Sequence, residues 1–143
     1  MVDYLFGRGV SKAIPRDGLR LSYSRRSGRV KLVFLSEELF ATVKPNGSMA
    51  LSIAGAKTLA RSPQFRESCV AVGDDAAQFV RGGRSVYCKF VERAGKNVLP
   101  GGEVAVVNRK GEVLGVGMAT VDGRFMRQFK SGVAVKVREG LKE

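Results

Sequence analysis

Histidine is missing from this chain altogether, which removes the commonest near-neutral acid or base and the commonest metal ligand. Neither a Ser-His-Asp nor a Cys-His catalytic site can be built. Cysteine is scarce: Cys69 and Cys88 each stand alone, so no Cys-x-x-Cys zinc or redox spacing exists. Each reads as a small buried apolar side chain, and a disulfide between them stays open at this point. The chain has no apolar run of the roughly 20 residues needed to cross a bilayer. It also has no sustained amphipathic stripe that would lie on a membrane. Asp3, Arg8 and Lys12 interrupt the stretch where a secretory leader would be apolar, which predicts a cytoplasmic protein without membrane contact. Gly7-Arg8-Gly9 and Gly115-Val116-Gly117 lack the strand-loop-helix setting of a phosphate loop. Adjacent Asp74 and Asp75 read as helix caps rather than a catalytic pair. The expectation is a non-enzyme with no catalytic residue, metal or cofactor.

Acidic residues are also in short supply. Lys and Arg number 25 against 13 Asp and Glu, a formal charge of +12 on 143 residues. The excess is spread along the chain: 12 basic against 7 acidic residues in 1–75, and 13 against 6 in 76–143. Such a surplus attracts polyanions before any contact forms, so nucleic acid is the default partner. The length allows one ordinary core or two small ones.

Read along the chain, residues 3–14 suggest a short helix ending before Pro15. Leu19 to Ser24, Arg29 to Leu35 and Leu39 to Lys44 read as strands. Ser52 can cap a helix reaching about Arg61, Ser68 to Val72 reads as a strand, and Asp74 or Asp75 can cap a helix through Val80 that runs into Gly82-Gly83. From there, short apolar strands are punctuated by glycines. Glu103 to Asn108 and Val113 to Val121 form a hairpin around Arg109-Lys110-Gly111-Glu112. In Val133 to Arg138 the period of two sends three valines to one side and Ala134, Lys136 and Arg138 to the other. Gly115 and Gly117 inside a strand favour a curled sheet or small barrel. The fold class is α+β: an amino-terminal α+β domain over 1–75 and a β pseudo-barrel over 76–143, packed together without a linker.

The stretch GRSVYCKFVERAGKNVLPGGEVAVVNRKGEVLGVGMA, followed by FKSGVAVKVREG, resembles a PUA domain, the RNA-binding pseudo-barrel of pseudouridine synthases and archaeosine transglycosylases. Upstream, Asp3 to Gly9, the Arg25-Arg26-Ser27-Gly28-Arg29 turn, LSIAGAKTLA and AAQFVRGGRSVYCKFV are similar, in the same order, to the C-terminal part of archaeal tRNA-guanine transglycosylases and archaeosine synthases. The aspartate nucleophile and structural zinc of those enzymes lie upstream of the matching region.

This resemblance implies a partner that is RNA, namely a tRNA acceptor stem, gripped by shape and backbone. The residues it points to are Arg93, Lys96, Gly101, Gly102, Lys130, Gly132, Ala134, Lys136 and Arg138, with the glycine turn bringing backbone amides to phosphate. A second basic patch, Arg16, Arg20, Arg25, Arg26, Arg29 and Lys31, suits either more RNA backbone or a partner protein. Phe125 and Phe129 read as core, and Tyr87 is undecided. The implied role is an accessory chain presenting tRNA to a separate catalytic transglycosylase. The alternatives are a stand-alone PUA factor linked to the ribosome or translation, and a protein-interaction subunit with weak RNA binding. An exposed apolar patch on the amino-terminal domain would favour the last.

Overall fold

A computed structural model describes residues 2–6, 9–15 and 17–141. The amino-terminal region opens with α1 (Val2–Phe6) and a single 3-10 turn (Val10–Ala13), two pieces where the sequence suggested one helix. Gly7 and Arg8 lie outside the described residues. Strands β1 (Leu19–Tyr23), β2 (Val30–Leu35), β3 (Glu38–Val43) and β4 (Met49–Leu51) then form an antiparallel meander in sequence order. The first three strands agree with the expectation to within about a residue, as alternation at short range allows. The three-residue β4, paired with β3 through Ala41–Leu51, was too short to register as a pattern.

Helix α2 (Ile53–Leu59) begins where Ser52 accepts a hydrogen bond from the Gly55 N–H at 2.9 Å. Its apolar side, with Ala56 and Leu59 fully buried, lies on the meander. Gly55 is required there, because an added Cβ would collide with the Phe40 carbonyl of β3.

The second sheet has six strands in the order β6-β10-β9-β8-β5-β7. They are β5 (Cys69–Val72), β6 (Val86–Tyr87), β7 (Val91–Ala94), β8 (Glu103–Val107), β9 (Val113–Ala119) and β10 (Val133–Gly140). Helices α3 (Asp74–Arg81) and α4 (Gly123–Met126) complete it. Gly73, not an aspartate side chain, occupies the cap of α3; Asp74 and Asp75 stand in its first turn. Since β5 pairs parallel with β8, the pseudo-barrel begins at Cys69, ahead of the boundary expected at residue 76.

The two parts share a wall. Along β5, β8 and β9 one set of residues, Val70, Val72, Val104, Val106 and Leu114, fills the barrel. The alternate set, Cys69, Ala105, Val107, Val113 and Val116, joins Phe6, Phe40, Leu51, Leu59 and Phe65 in the amino-terminal core. A strand covered on both faces must be apolar at every position, which explains the unbroken Val104-Ala105-Val106-Val107 run. Each cysteine sits in a different core as a free thiol, and burial pushes the Cys69 thiol up to about 12. No helix among the described residues is long and apolar enough to cross a membrane.

Candidate nucleic-acid interface

One end of the barrel is built from four segments knitted by backbone hydrogen bonds. Gly101 N–H donates to the Ala119 carbonyl (2.8 Å), Ala119 N–H to Gly102 (2.9 Å), Thr120 N–H to Ala134 (2.9 Å) and Cys88 N–H to Gly132 (2.9 Å). These bonds bring Gly101, Gly102 and Gly132 to one end, with Lys130 two residues before Gly132 and Lys136 four after it. Lys130 and Lys136 are exposed, and Lys136 stands opposite Met118, which in turn stands opposite Glu103.

The glycine turn works differently from the expectation. Leu99-Pro100-Gly101-Gly102 is a tight turn in which Gly101 has φ +80° and the Gly102 N–H donates to Leu99 O at 2.9 Å. Both glycine amides are thus already used inside the fold, and neither is free to bind phosphate. What the turn offers is a bare surface: nothing lies within 4 Å of where a Gly101 Cβ would be, so a nucleic-acid backbone can approach the chain closely.

The other predicted residues fall elsewhere. Ala134 is fully buried in the barrel core beside Val135, so it presents no side chain to a ligand. The strict alternation assumed for this strand fails because β10 is irregular: its register shifts against β6 between Val133 and Val135, and against β9 between Val137 and Glu139. Arg138 is turned to the junction of the two domains. Its guanidinium bridges both oxygens of Glu103 and donates to the Leu51 carbonyl at 2.7 Å, while Glu103 also accepts the Leu51 N–H at 2.7 Å. Arg93 donates to the Arg66 carbonyl at 3.2 Å and pairs with Glu67 at 3.5 Å. It lines a separate cleft with Arg66, Cys69, Arg109 and Lys110. Lys96 is exposed, but its backbone N–H is anchored to Glu67 Oε1 at 3.1 Å.

Aromatic side chains are what the sequence reading missed. Phe125 and Phe129 are 43% and 48% exposed, against the expectation that they were core; Met126 between them takes the buried position. Tyr87, opposite Val133, is 49% exposed. Arg124 lies 5.2 Å from the Phe125 ring and pairs with Asp122, whose carboxyl is held below its ordinary value by that hydrogen bond. The available signal was the interleaving of Arg124, Arg127 and Lys130 with the two phenylalanines, since basic neighbours on a four-residue helix leave little of it to bury.

The second basic patch lies on the amino-terminal meander. Arg25, Arg26 and Arg29 belong to the β1–β2 loop, closed by Ser24 N–H donating to Arg29 O at 2.8 Å and by Gly28 at φ +71°. Arg20 lies 4.7 Å over the Phe34 ring, and Lys31 is exposed. Arg16 lies outside the described residues.

Residues 69–141 match the PUA domain family, and residues 1–65 match the patch-forming domain C2 of tRNA-guanine transglycosylase. The chain is 38% identical over 142 residues to the tRNA-guanine(15) transglycosylase of Pyrococcus abyssi, covering 99% of this chain and 24% of that enzyme. The Thermoplasma volcanium enzyme is 35% identical over 98% of the chain. The chain thus spans less than a quarter of the length of these relatives. In fold it is similar to a hypothetical protein of Pyrococcus horikoshii, with TM-score 0.76 and 18% identity over 99% of this chain and 86% of that one. A conserved PUA domain protein from Thermoplasma acidophilum superposes with TM-score 0.66 and 18% identity over 94% of this chain and 85% of that one.

Proposed function

Because this chain belongs to the PUA domain family, an RNA-binding fold, and its amino-terminal part matches the transglycosylase C2 domain, we propose that it is a non-catalytic tRNA-binding protein. It holds the acceptor stem against the barrel end formed by Lys130, Lys136, Gly132 and the bare Gly101-Gly102 turn. The observation that carries this reading is the coincidence, on one end of the barrel, of exposed lysines, an unobstructed glycine turn and the exposed Tyr87 ring, whose strand adjoins Gly132 and Val133. Lysine ammonium groups attract phosphate without reading bases, and A-form RNA is recognised mainly by shape and backbone. The cellular form of this function is an accessory chain that presents tRNA to a separate catalytic transglycosylase.

Replacing Lys130 and Lys136 together by alanine tests the interface. Each phosphate contact adds about 0.7–0.9 to the salt slope of log K, so losing two should flatten it by roughly 1.5 while the fold persists. Unchanged affinity and slope would move the interface to another face. The accessory role is tested by guanine exchange into tRNA, using the Pyrococcus abyssi enzyme shortened by its matching C-terminal region. Activity restored by adding this chain supports the role, and activity indifferent to it argues against.

A further inference from the structure

Strand β1 forms the edge of the four-stranded sheet, and no strand among the described residues covers its outer side. Its residues Leu19, Leu21 and Tyr23 are 47%, 40% and 57% exposed, an unusual row of large apolar side chains on an open edge. They stand opposite Leu35, Val33 and Val30 of β2, so the row extends the apolar side of the sheet beyond the part the core covers.

The backbone of the same residues is unpaired outward. Ser36 N–H donates to Gly18 O at 3.1 Å, which makes Gly18 and Ser36 a hydrogen-bonded pair. In the regular register from Leu19–Leu35 to Ser22–Leu32, alternation directs the N–H and C=O of Arg20 and Ser22 toward β2. Those of Leu19 and Leu21 then point to the open edge. Side-chain row and backbone row coincide, as strand addition requires.

Charge narrows the occupant. Arg20 projects from the opposite side of β1, Arg25, Arg26, Arg29 and Lys31 surround its far end, and Asp17 is the one carboxylate in this stretch. Past Tyr23 the row opens into a groove of about 770 Å³ lined by Tyr23, Val30, Val43, Arg29, Lys31 and Lys44. Tyr23 alone in the row could stack on a base; Leu19 and Leu21 cannot, and the outward N–H and C=O groups beside them match a polypeptide strand, which favours a polypeptide over RNA. The +12 charge on each chain works against a second copy.

We propose that the β1 edge takes an extended segment of a partner protein as a fifth strand. That segment is apolar on the face that meets Leu19, Leu21 and Tyr23, and acidic on the face that meets Arg20 and the loop arginines. The site shares no residue with the barrel end and stands independently of the RNA reading.

The test uses three synthetic peptides long enough to span β1: one alternating valine and glutamate, one of the same composition with the valines and glutamates in separate blocks, and one alternating valine and lysine. Binding to the full chain is read by fluorescence anisotropy, and amide hydrogen exchange is followed at Leu19 and Leu21. The alternating acidic peptide should bind at least about tenfold more tightly than either control and slow exchange at both amides. Leu21→Pro removes an outward N–H while leaving the β2 ladder intact, and Leu21→Glu disrupts row and charge; each should cost about tenfold or more. Unchanged circular dichroism for Leu21→Glu shows that its loss is local.

Equal binding of the blocked peptide would mean charge alone and would overturn the proposal. So would protection that appears with rising protein concentration and no peptide, which would assign the edge to a second copy. Protection of these amides by single-stranded RNA, with none from the acidic peptide, would overturn it equally.

Discussion

Arg138 shows how one side chain can look like a ligand contact in the sequence and act as a clamp in the fold. Its partner Glu103 has a side chain only 6% exposed, and together they tie β10 and β8 to the Leu51 backbone of the other domain. Arg138→Ala should lower stability by about 1–3 kcal/mol, the range for stranding a mostly buried carboxylate whose partner is itself partly solvated. Urea unfolding measures this; tRNA affinity at the folded plateau should change far less than for the Lys130 and Lys136 pair. Glu92 gives a pH signature. Its side-chain hydrogen bond from Arg109 holds its carboxyl below the ordinary 4.5, so the contribution is present above that pH and is lost as pH falls through the lowered value. Arg109→Gln should return the Glu92 titration, followed by carboxyl NMR, toward 4.5; an unmoved midpoint would show that this ion pair is absent in solution. Nothing in the sequence marked these pairs, because Glu92 lies on β7 and Arg109 in the turn after β8, and they are brought near each other only by the order in which β8, β5 and β7 line up in the sheet.

Elements were the most legible scale. The β1 to β3 strands and the β8–β9 hairpin follow from alternation and turn residues, both local properties. The misreading of β10 has a cause that local spacing does not reveal. In β10 the bulges break the period of two, so Ala134, one step from Val135, turns out to be buried beside it. Bulges are set by how β10 meets β6 and β9, which local spacing does not encode. Gly117 carries a related demand: an added Cβ would collide with the Lys136 carbonyl and force β9 from β10. Gly117→Ala should cost about 2–4 kcal/mol by urea unfolding, as overpacking against backbone does, and should weaken tRNA binding by disturbing the strand that carries Lys136. A near-neutral result would mean the two strands separate cheaply.

At the level of the whole molecule, the fold class and the order of the two domains could be read from the sequence, whereas their boundary could not. Cys69 to Val72 looks like the last strand of the first half, yet it pairs into the barrel while lending Cys69 to the amino-terminal core. A strand that serves two cores has no boundary signal of its own. The shared wall holds the meander's basic loop and the barrel's cationic end on one body, and the +12 charge gives both a general pull on polyanions.

Recognition of tRNA by the barrel end, as opposed to attraction by charge alone, is decided by binding of intact tRNA, the same tRNA trimmed of its 3′ end, and duplex DNA of equal charge, each at low and high salt. Preference for intact tRNA that persists at the higher salt is the expected result. Equal binding of all three, lost together as salt rises, would contradict it and leave only a basic surface attracting polyanions.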